Sequence, residues 1–226
     1  MAKAVPEKLL SEVVRERRAT PHFDASPVEE EDLRKILQAG LEAPNGFNLQ
    51  PWRFVVVRDR EQRRRLRAAA NNQPKVEEAP VIVVACGDTE GWRGRDLEES
   101  LRISKEKGWD RGPERLEKVR RTLEAFLGHP GPSGGVGPDI AVWVNRQVMI
   151  AFTTMLWMAE VLGYDTAPME GFQEDKVRET LQIPAHVRVV ALLAIGRRQG
   201  EDKPYEGRFA MSRSVFAERW GKLIDL

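Results

Sequence analysis

The stretch from Val148 to Leu162 limits this chain more than any other. It is apolar on nearly every side of a helical wheel, with Thr153, Thr154 and Glu160 as its polar members. A helix without a polar face must be buried all round, in a large core or across a subunit interface. A membrane span is the competing answer, but the run is too short for one. The surrounding chain must therefore supply layers that cover it. Gly163 stands where such a helix needs a left-handed C-terminal residue.

Covering strands are legible on both sides. Val81 to Cys86 is almost wholly apolar, and Val189 to Ile195 repeats that character, as expected of strands covered on both faces. Arg53 to Val57 is β-branched, and Asp165 to Pro168 is a short extended piece. Helices are expected at Leu9–Arg18, from the spacing of Leu9, Leu10, Val13 and Val14, and after the Ser26–Pro27–Glu29 start. In the latter, Leu33, Ile36, Leu37, Gly40 and Leu41 form the buried face. Further helices are expected over Arg60–Ala70 and Glu174–Leu181. Residues 92–127 read as a polar helical excursion, and 128–138 as a Gly- and Pro-rich loop. The tail from Arg197, with Phe209, Phe216 and Trp220, is too short for a core of its own and is expected to pack on the body or on a partner. These pieces predict one α+β domain over residues 1–226.

Composition removes several functions. A net charge of +1, with both signs interspersed, gives no footprint for nucleic acid or anionic membrane. One cysteine, Cys86, and three scattered histidines allow neither a disulfide nor a zinc or iron–sulfur site, so no metal is expected. Met1 to Arg18 has no signal-peptide apolar core, which with the lone thiol predicts a cytoplasmic protein. P-loop and nucleophile-elbow motifs are absent, and Gly134, Gly135 and Gly137 follow a Pro-rich loop rather than a strand, so a dinucleotide fingerprint is disfavoured.

Three segments remain as ligand candidates. In Arg17-Arg18-Ala19-Thr20-Pro21-His22-Phe23, adjacent guanidinium groups could clamp a phosphate, though charge at a helix C-terminus explains them as well. Ala43-Pro44-Asn45-Gly46-Phe47-Asn48-Leu49-Gln50-Pro51-Trp52-Arg53-Phe54 offers amides on a backbone open to a ligand; an ordinary turn with Trp52 in the core is the alternative. Pro168-Met169-Glu170-Gly171-Phe172 follows the buried helix, and its glycine would let backbone amides approach a flat molecule.

Together, in this order, the three segments resemble the nitroreductase family of FMN enzymes, from about Val13 to Ile195. The joint pattern Asn48–Gln50–Pro51–Trp52–Phe54 with Pro168–Glu170–Gly171–Phe172 carries the likeness. The resemblance implies an α-β-α sandwich with a mixed central sheet, and a homodimer with FMN at the subunit interface. It puts Arg17, Arg18 and Arg208 at the flavin phosphate, with Thr20 nearby. Pro44, Asn45, Gly46 and Asn48 would approach from the other subunit, and Asn72, Gln73 and Lys75 would serve the pyrimidine end. Pro168 and Met169 lead into Glu170 and Gly171, whose amides would face flavin N5.

It also implies NADH or NADPH as donor and a small acceptor, in ping-pong turnover without a catalytic side chain. Other reactions on the same fold are dehalogenation and flavin fragmentation; a flavin binder or dimerisation module without turnover is the non-enzymatic alternative. Departures from the family pattern fall at Ala19, Pro21, Asn45, Gly46 and Glu206. Lys203, His22 and the amide of Asn45 are the candidates to compensate.

Overall fold

A computed structural model describes residues 7–109, 112–128 and 139–225. Four strands form one sheet in the order β1 (Trp52–Val57), β2 (Val81–Asp88), β4 (Val187–Gly196), β3 (Asp165–Met169). Every strand pair is antiparallel; the parallel element expected of a mixed sheet is the isolated bridge between Ala19 and Thr166.

Period-two alternation divides the core. Val81, Val83 and Ala85 face one side with Leu193 and Ile195, while Ile82, Val84 and Cys86 face the other with Leu192 and Ala194. Helices cover both sides, so the layers are α-β-α. The first side carries α2 (Glu30–Leu41) and α7 (Ile140–Val161); the second carries α3 (Arg60–Ala69), α4 (Lys75–Glu78) and α8 (Glu174–Leu181). A bulge at Ala85/Cys86 shifts the β2–β4 register, and Val190 and Ala191 consequently both pack towards α7.

The apolar run lies within α7, which spans 22 residues and is capped by Asp139 accepting from Ala141 and Val142 amides. It lies so close to the sheet that a Cβ on Gly87 would come within 2.2 Å of Val144 Cγ1. Burial is not complete all round. Val142, Ile150 and Trp157 recur on one side and are exposed in the single chain. The helix ends where Gly163 takes φ 82°.

Two helices differ from expectation. Helix α1 (Leu10–Glu16) stops before Arg17 and buries only Val13; Leu9, Leu10 and Val14 are exposed. Helix α2 begins at Glu30, and Ser26 caps nothing there. The Ser26 amide instead donates to Asp24 Oδ1 at 2.8 Å, an Asx turn, and the Glu29 amide donates to the Tyr164 hydroxyl at 3.2 Å. Leu41, expected in the buried face of α2, is exposed.

The excursion is helical, with α5 (Arg95–Ser104), a π turn over Lys105–Trp109 and α6 (Pro113–Leu127). It is more than a solvated flap, since Trp92, Leu97, Leu123 and Leu127 join the core beside α7. Arg53 ties its start to the sheet through ion pairs with Asp88 and Asp96. The loop expected at 128–138, with its glycine cluster, lies outside the described residues apart from Gly128. The tail does not pack into the body core: Tyr205, Phe209, Met211, Trp220 and Leu223 are all exposed.

Candidate active site

The sequence-predicted residues gather in two places. The first lies at the β3 edge. After α1, the chain turns extended at Arg17 and pairs with β3, the Thr20 amide donating to the Thr166 carbonyl at 3.0 Å. That pairing buries Thr20 completely and fixes the direction of the two arginines before it. Arg17 Nη1 is buried with no hydrogen-bond partner among the described residues. An unpaired buried guanidinium donor is costly and marks a place where an acceptor is missing.

More cations collect here. Arg18 stacks over Tyr205 with its Cζ 4.5 Å from the ring centroid, and Arg208 stacks on the same ring at 5.6 Å. The tail thus brings Arg208 and Arg18 to one ring. Lys75 opens α4 half-buried, and burial, then the field of Lys203, holds its ammonium below the usual lysine range. Lys203 is therefore within electrostatic reach of Lys75. Among the described residues no carboxylate ion-pairs with Arg17, Arg18, Lys75, Lys203 or Arg208.

The turn after β3 is tied to the same neighbourhood. Asn71 Nδ2 and Gln73 Nε2 both donate to the Gly171 carbonyl, at 3.0 and 2.9 Å. Asn71 and Asn72 adopt left-handed φ of 52° and 56°, which asparagine tolerates better than most residues. With the Gly171 carbonyl engaged, the amides of Glu170 and Gly171 still donate to no turn or side-chain acceptor among the described residues. Met169 is buried and Pro168 pairs with Leu193, so these two supply the strand that aims the turn.

The second place is the Pro44–Gln50 loop. The Gly46 amide donates to Gln147 Oε1 of α7 at 2.8 Å, and the Asn48 carbonyl accepts from Ser100 Oγ at 2.8 Å. Phe47, Asn48 and Gln50 hold φ of 58°, 55° and 46°. Such conformations cost of order 1–3 kcal/mol each and cluster at ligand clamps. Trp52 does lie in the core. Pro44 and Asn48 are exposed.

The two side chains expected to compensate are engaged within the chain. His22 pairs with Glu78 at 3.1 Å. Asn45 uses its amide internally, accepting from the Gln50 amide at 2.9 Å and donating to the Ala43 carbonyl at 3.4 Å.

The two places do not meet within one chain. Gln147 anchors the loop and Glu160, beside the clamp, stands thirteen residues later on the same helix. At about 1.5 Å per residue this is a separation of about 20 Å.

Sequence reasoning missed several members. Glu160 was visible as the one acid in the apolar run; it is buried and accepts from Thr166 Oγ1 at 2.6 Å. Burial pushes its carboxyl up to about 7, against the pull of the Thr166 hydrogen bond. Tyr205, Asn71 and Gln147 gave no signal, because their roles depend on contacts distant in sequence. Cys86 is buried, and burial pushes its thiol up to about 12, which leaves it inert. No cluster of three potential metal ligands exists among the described residues, and no described helix is long and apolar enough to cross a membrane.

Residues 14–197 match the sequence profile of the nitroreductase family. This chain belongs to the nitroreductase family. A Thermus thermophilus relative named NADH dehydrogenase is 35% identical over 188 residues, covering 83% of this chain and 86% of its own. MhqN of Bacillus subtilis, named as an NAD(P)H nitroreductase, is 28% identical over 86% of this chain and 91% of its own. A solved nitroreductase-type structure from Exiguobacterium sibiricum, in complex with FMN, superposes with a TM-score of 0.81 at 23% identity, over 96% of this chain and 100% of that one. At that identity the last likeness speaks for the fold. The family match covers Arg17, Arg18, the Pro44–Gln50 loop and the Glu170–Gly171 turn, and ends before Lys203, Tyr205 and Arg208.

Proposed function

We propose that this nitroreductase-family chain is a single FMN-binding domain, cytoplasmic and homodimeric. It oxidises NADH or NADPH and reduces a small acceptor of the nitro, quinone or activated-alkene class. The observation that carries the reading is the buried Arg17 Nη1, without a partner among the described residues, at the head of a cation cluster with which no described carboxylate ion-pairs. A phosphate monoester has the charge and acceptor oxygens which that donor lacks.

The donor set fits FMN along its length. Arg17, Arg18 and Arg208 would hold the phosphate, with Thr20 backing them. Asn72, Gln73, Lys75 and Lys203 would face the pyrimidine end, where a fixed cation stabilises the charge of the reduced ring. The free amides of Glu170 and Gly171 would address the ring from the β3 turn. Pro44, Asn45, Gly46 and Asn48 would come from the second subunit, since their own clamp lies about 20 Å away along α7. When bound, FMN supplies the two-electron chemistry that no side chain here provides. The protein's share is to orient the cofactor, neutralise its charge and exclude water.

The test is to add FMN to flavin-free protein, desalt it, and mix it anaerobically with NADH or NADPH. Retained yellow colour that bleaches is expected; a colourless protein after desalting overturns the reading. Arg17→Ala should weaken FMN binding by about tenfold or more, the worth of a charge-assisted hydrogen bond. Arg64→Ala is the control, because Arg64 is an exposed partner of Glu61. Equal loss in both variants would undo the phosphate assignment.

A further inference from the structure

Glu160 is a carboxylate on the last turn of α7, where the helix dipole and burial both disfavour negative charge. It is 5% exposed and accepts one hydrogen bond, from Thr166 Oγ1. Thr166 is also the residue that accepts the Thr20 amide and bridges Ala19. One threonine therefore joins the buried acid to the strand-like segment that carries Arg17. Among the described residues the charged groups whose fields reach Glu160 are Asp165 on β3, Arg17 at the end of α1, and Lys8, whose amide donates to the Val161 carbonyl at 2.9 Å. Arg198 faces Asp165 rather than Glu160.

We propose that Glu160 is a positioning residue of the phosphate clamp, and that it takes up a proton from solvent when the phosphate monoester of FMN settles on Arg17. This rests on the FMN reading above. Before binding, the ionised carboxylate and the Arg17 guanidinium share a buried region, and each moderates the cost of the other. A phosphate brings a second anion to the same cation. The more deeply buried anion is the one that gives way, and its carboxylate accepts a proton from bulk water or buffer. The bond to Thr166 survives the change, because a hydroxyl donates to a carboxylate and accepts from a carboxylic acid. The Arg17 segment keeps its position in both protonation states. Burial already holds the Glu160 carboxyl near 7, so a modest additional field completes the protonation near neutral pH.

The experiment is titration calorimetry of flavin-free protein with FMN at pH 7.5, in buffers of differing ionisation enthalpy. The slope against buffer enthalpy gives the protons exchanged. Wild type should take up about half a proton or more per FMN, as follows from a carboxyl that starts near 7 and is raised further. The FMN phosphate is almost fully a dianion at that pH, having a second pKa of about 6, and releases little to mask this. Glu160→Gln should bind FMN with this uptake abolished.

Riboflavin, which lacks the phosphate, should bind wild type without the uptake, and this comparison needs no variant to fold. Equal uptake with FMN and riboflavin, or equal uptake in wild type and Glu160→Gln, overturns the inference while leaving FMN binding intact. Absence of any FMN binding to wild type is a separate outcome and removes the reading beneath it.

Discussion

Replacing Gly87 with alanine tests whether α7 is held against the sheet as tightly as its contacts indicate. A Cβ there would sit 2.2 Å from Val144 Cγ1 and 3.1 Å from Val148 Cγ2. Carbon atoms in favourable contact stand about 3.5–4.0 Å apart, so the nearer overlap exceeds 1 Å and involves a β-branched side chain with little rotamer freedom. Overpacking of this kind costs about 1–3 kcal/mol, reduced by the roughly 0.5–1 kcal/mol gained when glycine is removed from a strand.

The net expectation is a destabilisation of about 1–2 kcal/mol, a fall in Tm of about 2–8 °C for a chain of this size. The diagnostic measurement is the double variant. Val144→Ala alone opens a cavity, and in that background the added methyl occupies empty space, so Gly87→Ala should cost nothing or restore stability. Urea melts of the four proteins, analysed at constant m-value, give the coupling energy. A Gly87→Ala penalty that is equal in both backgrounds, or absent in both, would refute the close approach and with it the rigid seating of α7.

Gln147→Leu should strand the Gly46 amide, lowering stability by about 1–3 kcal/mol; hydrogen exchange at Gly46 and Gln50 should quicken, and unchanged protection would disprove the anchor. Glu160 makes flavin-free stability pH-dependent. Because its folded carboxyl is raised to about 7 from 4.5, its ionisation costs about 3 kcal/mol above pH 7, and this is recovered as pH falls towards 4.5. Melts of Glu160→Gln should run level with wild type at pH 4.5 and above it at pH 8; a pH-independent offset sinks the assignment. Ile150→Asp places a charge mid-stripe on the exposed side of α7; in the proposed homodimer it should yield monomers that have lost FMN together with the dimer, whereas a flavin-retaining monomer counts against a shared site.

The sheet and most helices were legible because their signals are local. The apolar runs at Val81–Cys86 and Val189–Ile195 became β2 and β4, and Glu174–Leu181 became α8 without change. The failures have a common cause. Ser26, Pro27 and Glu29 form a good helix start in isolation, but the Tyr164 hydroxyl takes the Glu29 amide from 135 residues away and the helix begins later. Leu10 and Val14 have helical spacing, yet no layer among the described residues covers them. In the site, the arginines and the Glu170–Gly171 turn were readable through motif likeness. The fate of His22 was not: whether a histidine faces a ligand or an acid such as Glu78 depends on contacts its neighbours in sequence do not encode. Glu160 was readable as an anomaly, but its link to Arg17 runs through Thr166 and needs the bridge to Ala19.

A rigid α7 gives those separate observations one consequence. Its early turns hold the strained Pro44–Gln50 loop through Gln147, and on its last turn Glu160 accepts from Thr166, whose carbonyl accepts the Thr20 amide beside the cation cluster. Gln147 and Glu160 stand about 20 Å apart along this helix, and the proposed homodimer would supply the two regions to one cofactor from different chains. The side of α7 that could meet a second copy is the side left apolar and open, at Val142, Ile150 and Trp157. The tail, anchored to the body at Arg18 through Tyr205, then continues outward with Phe209, Met211 and Trp220 exposed. Isolated, such surface is a liability; against a partner it adds buried apolar area next to the clamp it helps to build. On this reading assembly and cofactor binding are linked equilibria, and FMN affinity should rise with protein concentration until dimers dominate.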